Sequence, residues 1–176
     1  GSSAVAYSQA ITGLAAGTTY YYCAIASNAA GTGLGTVMSF TTVAAPSVTT
    51  SAATSVTNNA ATLNGSANPN LGTATGWFRY STTQPASCND AFGTRAPAVG
   101  GTALGSGNTA VPLAMPISSL TAGTTYYFCV LASSPVGTSV GTVLSFTTAA
   151  TPVATTTAAT AVTSTGATLN GSGDPN

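Results

Sequence analysis

Charged side chains are almost absent from this sequence. Two arginines and two aspartates make up 2% of its 176 residues, and lysine, glutamate and histidine do not occur. Nucleic-acid binding draws its affinity from Lys and Arg that neutralise phosphates, so two arginines argue against a nucleic-acid partner. Two aspartates without histidine argue equally against acid–base catalysis and a carboxylate-rich calcium site. We therefore predict no enzyme activity, no catalytic residue, no metal and no cofactor.

Long apolar runs are missing as well. No stretch approaches the 18 or more apolar residues of a membrane-spanning helix, so no membrane span is predicted in this segment. No signal peptide is recognisable, although the chain starts inside a repeat and a signal could lie upstream. Disorder is not expected, because 44% of the residues are hydrophobic and they alternate regularly.

The sequence does contain an internal repeat. Residues 120–132 appear nearly unchanged 106 positions earlier, as residues 14–26, and the same offset holds without gaps wherever both copies exist. Residues 1–42 then form the C-terminal part of one repeat, residues 43–148 a complete repeat, and residues 149–176 the N-terminal part of the next. We call them the first, middle and third segments. The chain is expected to be a window on a longer tandem array.

The repeated stretch has the pattern of a central β-strand, because alternate residues from Tyr126 to Ala132 fall on one face and those between them on the other. Tyr126, and Tyr20 in the first segment, stand at the strand entry, where a hydroxyl can bond to nearby backbone in a tyrosine corner. Seven short strands in a repeat of this length fit a Greek-key sandwich with almost no helix. The predicted strands are 47–51, 60–66, 75–82, one within 87–106, 110–117, 124–133 and 138–148.

The order of residues in the complete repeat resembles the fibronectin type III domain. The resemblance rests on the Leu120, Gly123 and Tyr126 spacing, on residues 145–148, and on residues 61–66 followed by 68–70. It implies an all-β fold of tandem immunoglobulin-like sandwiches, most similar to the bacterial repeats of large secreted or cell-surface proteins. It also implies an extracellular spacer, adhesin or filament module that has no active site.

The three cysteines indicate the cellular compartment in which the protein works. Strands three and six pair in the fibronectin fold, so Cys129 is expected to form a disulfide with Cys88 in the loop after strand three; two free thiols are the alternative. The disulfide implies an oxidising, extracellular compartment. Cys23 is expected to be unpaired or to bond to another chain.

One outer sheet face is a candidate contact face, made of Trp77, Arg79, Tyr127 and Leu131. Two interpretations remain open: a platform for a glycan or a neighbouring subunit, or cover for the disulfide with Arg79 laid over an aromatic ring. Asp90 and Arg95 flank a Gly-rich loop and are expected to pair.

Near-zero net charge promotes association. The sequence therefore predicts a structural component of an extracellular bacterial fibre, sheath or surface array, which self-associates into a homopolymer or with neighbouring repeats. The alternative is an adhesin or carbohydrate-binding spacer module of a larger surface protein or secreted enzyme. Residues 149–176 and 1–42 could also be complementary, giving the first two and last three strands of a composite sandwich that lacks the third.

Overall fold

A computed structural model of the chain describes residues 3–175. Residues 1 and 2 of the first segment and residue 176 of the third segment lie outside the described residues. The described residues form fifteen β-strands and no helix, and the fold is all-β as predicted. In chain order the strands are β1 (Thr19–Tyr22), β2 (Ile25–Asn28), β3 (Gly31–Leu34), β4 (Met38–Thr41), β5 (Ser47–Thr54), β6 (Ala60–Asn68), β7 (Ala74–Ser81), β8 (Thr94–Ala96), β9 (Thr102–Gly105), β10 (Val111–Ser118), β11 (Thr125–Ser134), β12 (Gly137–Val140), β13 (Leu144–Thr147), β14 (Val153–Thr160) and β15 (Thr168–Asp174).

Two antiparallel sheets make up the middle segment. One has the strand order β10-β6-β5, and the other has the order β12-β11-β7-β8, with β13 also on β11 and β9 also on β7. β5 and β6 of the first sheet contact β11 of the second. This two-sheet arrangement is consistent with the predicted β-sandwich.

The core between the sheets follows from the alternation of side chains. Along β6 every second residue is buried, and Leu63, Phe78 and Phe128 are among the largest fully buried side chains. Gly65 also faces inward, and a Cβ atom there would lie 2.8 Å from the Thr49 carbonyl oxygen of β5 and 3.3 Å from the Cβ atom of Val130 in the other sheet. Glycine at this position therefore avoids a collision within its own sheet and lets the two sheets approach closely.

The sequence prediction is wrong in two stretches. Residues 138–148 form two strands, β12 and β13, which pair with different halves of β11. Gly141 lies between them; its N–H donates to the Val130 carbonyl at 2.8 Å, and a Cβ atom there would collide with the Thr50 hydroxyl. Residues 87–106 also form two strands rather than one, because β8 and β9 both pair with β7. The middle segment therefore has nine strands instead of seven.

β10 lies at a sheet edge and pairs only with β6 among the described strands. Pro112 and Pro116 lie opposite Ser66 and Thr62 of β6. Proline has no backbone N–H, so a strand can contain it only where the backbone nitrogen points away from the neighbouring strand. The N–H groups that point toward β6 therefore belong to the alternate residues 111, 113, 115 and 117.

The outer segments repeat the strand pairing of the middle segment. In the first segment, the β1–β4 pair corresponds to the β11–β13 pair, and the β2–β3 pair corresponds to the β11–β12 pair. In the third segment, the β14–β15 pair corresponds to the β5–β6 pair. The register is the same in each case: Tyr20 lies opposite Phe40, and Tyr126 lies opposite Phe146. Residues 5–12, the counterpart of β10, form no strand; residues 1–42 include no counterpart of β6 for them to pair with.

Candidate functional site

The outward face of β11 is buried under a loop. β11 pairs with β7 so that Cys129 lies opposite Arg79 and Leu131 lies opposite Trp77. The buried residues on this face form what we call the disulfide cluster, which consists of Trp77, Cys88, Cys129 and Leu131 with Phe92 and Val143 packed against them. β11 is therefore buried on both faces, by the sandwich core and by this cluster.

A disulfide joins Cys88 to Cys129, which confirms the predicted pair. Cys129 is fully buried and Cys88 is 7% exposed. The bond ties the loop after β7 to the centre of the sheet.

Three of the four charged residues meet beside the disulfide cluster. Nε1 of Trp77 donates to Oδ1 of Asp90 at 2.8 Å, and Nε of Arg79 donates to the same oxygen at 2.9 Å. The Arg95 guanidinium lies 4.5 Å from the centre of the Trp77 ring. The two predicted pairings are therefore wrong: Arg95 covers the ring in place of Arg79, and Asp90 pairs with Arg79 in place of Arg95. Arg79 of β7 and Arg95 of β8 lie directly opposite each other in the sheet. Arg79 therefore contacts the Asp90 carboxylate, while Arg95 contacts the Trp77 ring.

The same contacts set the acidity of Asp90. Burial raises the pKa of its carboxyl group, but the hydrogen bonds from Arg79 and Trp77 and the charges of Arg79 and Arg95 outweigh burial and lower the pKa below its ordinary value of 3.8. The carboxylate is thus held ionised as the acceptor for two donors, which is a structural arrangement.

The candidate contact face is not an open surface. Leu131 is fully buried, Trp77 is 7% exposed, and the Arg79 side chain is 16% exposed. Tyr127 is half-buried. A platform for a glycan needs an aromatic ring whose face reaches solvent, whereas Arg95 and the disulfide cluster occupy the surroundings of Trp77. The geometry therefore favours the interpretation of this face as cover for the disulfide.

Other reactive groups are few. Cys23 is exposed and carries a free thiol; its counterpart Cys129 reaches a partner in the loop after β7, a part of the repeat that residues 1–42 do not include. Within residues 3–175, no three His, Cys, Asp or Glu side chains are grouped so that they could hold a metal ion. The same stretch forms no helix of the length and apolarity needed to cross a membrane.

The hydrogen bonds of both predicted tyrosine corners are present. The Thr121 N–H donates to the Tyr126 hydroxyl at 2.9 Å, and the Tyr20 hydroxyl accepts the equivalent bond in the first segment. Sequence reasoning missed a second tie in this turn, in which the Thr148 hydroxyl donates to the Thr121 carbonyl oxygen at 2.6 Å. Thr42 makes the same bond in the first segment, so the repeat carried a signal for it.

The linker between the first and middle segments is also held by hydrogen bonds. The Gly17 N–H donates to the Val43 carbonyl at 3.2 Å, and the Ala44 N–H donates to the Asn70 carbonyl at 3.2 Å. The Asn70 amide nitrogen donates to the Ala45 carbonyl at 2.7 Å. Asn70 belongs to the 68–70 stretch noted in the sequence, but its role in holding residues 43–45 was not predicted.

The outer segments expose residues whose counterparts build the core of the middle segment. Tyr22 is 55% exposed and Leu169 is 86% exposed, while their counterparts Phe128 and Leu63 are fully buried. In the first segment the exposed residues line an open apolar groove, which we call the first-segment groove; its lining includes Val5, Tyr7, Ile11, Tyr22, Ala24 and Phe40. In the middle segment the other strands of the same repeat cover the counterparts of these residues. Their exposure in the outer segments therefore reflects which part of the repeat each outer segment includes.

Comparison with known proteins adds little to this description. The chain is similar to a shorter and a longer version of the sensor domain of the anti-sigma factor RsgI4 in Pseudobacteroides cellulosolvens. The shorter one is 16% identical with a TM-score of 0.39, over 60% of this chain and 95% of that one. The longer one is 15% identical with a TM-score of 0.38, over 60% and 90%. No family model and no curated protein matches the sequence. Likenesses this weak carry no conclusion about function, and the fibronectin type III resemblance stays a prediction.

Proposed function

We propose that this protein is a structural component of an extracellular fibre, sheath or surface array, built from fibronectin type III-like repeats. The observation that carries the proposal is the repetition of strand register along the chain, in which β1 pairs with β4 as β11 pairs with β13, 106 positions later. Equivalent units in tandem are the basis of extended assemblies.

The junction between units supports the same proposal. A flexible spacer needs a linker free of contacts, whereas residues 43–45 are bonded to Gly17 on one side and to Asn70 on the other. Such a linker favours units held in a fixed relation to one another, as a fibre or sheath requires.

The charge of the protein supports self-association rather than binding to a different partner. The net charge is zero, and three of the four charged residues are engaged beside the disulfide cluster. Long-range repulsion between copies is therefore minimal, and proteins without net charge tend to associate. We propose contact with further copies or with neighbouring repeats rather than with a charged partner.

The disulfide supports an extracellular location, since such bonds persist in oxidising compartments. The role is proposed to be non-catalytic, because the ionised Asp90 is committed to Arg79 and Trp77. A carbohydrate-binding spacer has less support, because Trp77 is covered.

Negative-stain electron microscopy of surface material that contains the native protein tests this proposal. Ordered fibres or sheets with a regular axial repeat are expected. The same preparation with a reductant shows whether the cysteines take part in the assembly. Separate, flexibly linked beads under every condition would overturn a structural role.

A further inference from the structure

We propose that each repeat is locked to the next one through the chain that joins them, and that Asn70 is the residue that closes the lock. The inference rests on the proposed function and deepens it, because it names the contact that fixes neighbouring repeats in one relation. It starts from residues 42–46, which join β4 to β5. The Thr42 hydroxyl donates to the Ala15 carbonyl at 2.6 Å, so the first of these residues is held by the preceding repeat.

The preceding repeat also holds the next residue of the linker. At the second junction, where the preceding repeat is complete, the Ala149 N–H donates to the Thr57 carbonyl at 3.2 Å, and the Ala149 carbonyl accepts from the Gly123 N–H at 3.1 Å. Ala149 is the counterpart of Val43, whose carbonyl accepts the equivalent bond from Gly17 at 3.2 Å. In a complete repeat, both backbone polar groups of this linker residue are therefore bonded to the preceding unit.

The following repeat holds the second half of the linker. The Ala44 N–H donates to the Asn70 carbonyl at 3.2 Å, the Asn70 side-chain amide donates to the Ala45 carbonyl at 2.7 Å, and Pro46 is buried. Adjacent linker residues are thus bonded to different repeats. Motion between units needs a segment with few contacts and solvent-exposed backbone bonds, and this linker leaves no residue for such a hinge.

The turn that carries Asn70 has a left-handed backbone at two consecutive residues. The φ angle is 51° at Asn70 and 69° at Leu71, and leucine rarely adopts such values. A strained backbone persists where its surroundings hold it. Here the Asn70 N–H donates to Oδ1 of Asn68 at 2.9 Å, and the Leu71 N–H donates to the Gly107 carbonyl at 2.9 Å. The turn thereby directs the carbonyl and the side-chain amide of Asn70 toward the linker.

The sequence supplies the same parts at the next junction. Ala150 stands 106 positions after Ala44, and Asn176 stands 106 positions after Asn70; Asn176 itself lies outside the described residues. Asp174 replaces Asn68 and keeps a side-chain oxygen at that position. Junctions built from the same parts set the same relation between each pair of repeats. Units related by one constant operation form a regular filament.

Two variants of Asn70 release the second half of the linker. Asn70→Gly keeps the turn, because glycine adopts positive φ readily, but it removes the bond to the Ala45 carbonyl. Asn70→Asp keeps the size of the side chain and its tolerance of the left-handed region, but it replaces the donor with an acceptor. Asn64→Ala is the matched control, because the Asn64 amide donates to the Ala52 carbonyl at 2.9 Å inside the middle segment. Near-ultraviolet circular dichroism of Trp77 verifies that this segment stays folded in every variant.

Double electron–electron resonance between two nitroxide labels on the full chain is the measurement. One label is attached to Cys23, which is exposed and free. The other is attached through Ala103→Cys, at an exposed position of β9 in the middle segment. The labelled chain that keeps Asn70, and the same chain with Asn64→Ala, should each give one narrow distribution of distances. Both Asn70 variants should lose this narrow peak and give a broad distribution.

Three results would overturn the inference: a broad distribution in the chain that keeps Asn70, narrow distributions in the Asn70 variants, or equal broadening in Asn64→Ala. If any of these occurs while microscopy shows ordered native fibres, another contact fixes the units and the proposed function stands. If the native material also shows only separate beads, the proposed function fails with it.

Discussion

Removal of the disulfide should cost the middle segment a large share of its stability. We expect the double variant Cys88→Ala, Cys129→Ala to lower the free energy of unfolding by about 4 kcal/mol. The two cysteines are 41 positions apart, and closing a loop of that length removes roughly 13 cal/mol/K of entropy from the unfolded chain, which is about 4 kcal/mol at 25 °C. Small domains are stable by only about 5–15 kcal/mol, so the double variant should approach the threshold of unfolding.

Trp77 makes the assay local. It is the only tryptophan of the sequence, and it lies in the disulfide cluster with 7% exposure. Urea unfolding followed by tryptophan fluorescence therefore reports on the region that the disulfide braces. The matched control is Cys23→Ala, which removes an exposed, unpaired thiol and should change stability by no more than about 0.5 kcal/mol.

Denaturant sensitivity gives a second readout of the same perturbation. The cross-link restricts the unfolded chain, so its removal should expose more surface on unfolding and raise the dependence of stability on urea. Wild-type protein in reductant should behave like the double variant. A loss below about 1 kcal/mol, within the range of an ordinary substitution, would refute this reasoning; Asp90 and the two arginines would then be what holds the loop.

Three further predictions concern single groups. Tyr126→Phe removes the acceptor of the Thr121 N–H and should lower the free energy of unfolding by about 1–2 kcal/mol in urea melts, because the donor is left partly buried without a partner; Tyr20→Phe should cost less, since water can replace its exposed bond. Asp90→Asn should cost less than about 1 kcal/mol, because the Asp90 side chain is 52% exposed and such ion pairs contribute little. Because the folded-state pKa of Asp90 is lowered, its contribution to stability is complete above the unfolded-state pKa and disappears as the pH falls through the folded-state pKa. The melting temperature should therefore change little from about pH 5 to 8. A marked change of melting temperature in that range would contradict this prediction.

Much of the fold was predictable because successive side chains of a strand point to opposite faces of the sheet. Alternation along residues 126–132 marked the face of β11 that enters the core, and Phe128 and Val130 are fully buried there. Pro112 and Pro116 fit only an edge strand, for a backbone reason that needs no tertiary information, and β10 lies at a sheet edge. The disulfide was predictable once strands three and six were taken as neighbours.

What could not be predicted depends on contacts distant in sequence. The division of the last predicted strand at Gly141 depends on the Thr50 hydroxyl, which comes from the opposite sheet. The exchange of roles between Arg79 and Arg95 depends on the β7–β8 register, and the loop between β7 and β8 has no alternation that would reveal it. The burial of Trp77 likewise depends on where that loop lies.

Negative-stain electron microscopy of the native surface material tests most directly whether these repeats build an ordered array. Ordered fibres or sheets with a regular axial repeat are the expected result, because the strand register repeats at 106 positions and residues 43–45 are bonded to Gly17 and to Asn70. Separate, flexibly linked beads under every condition would contradict the account.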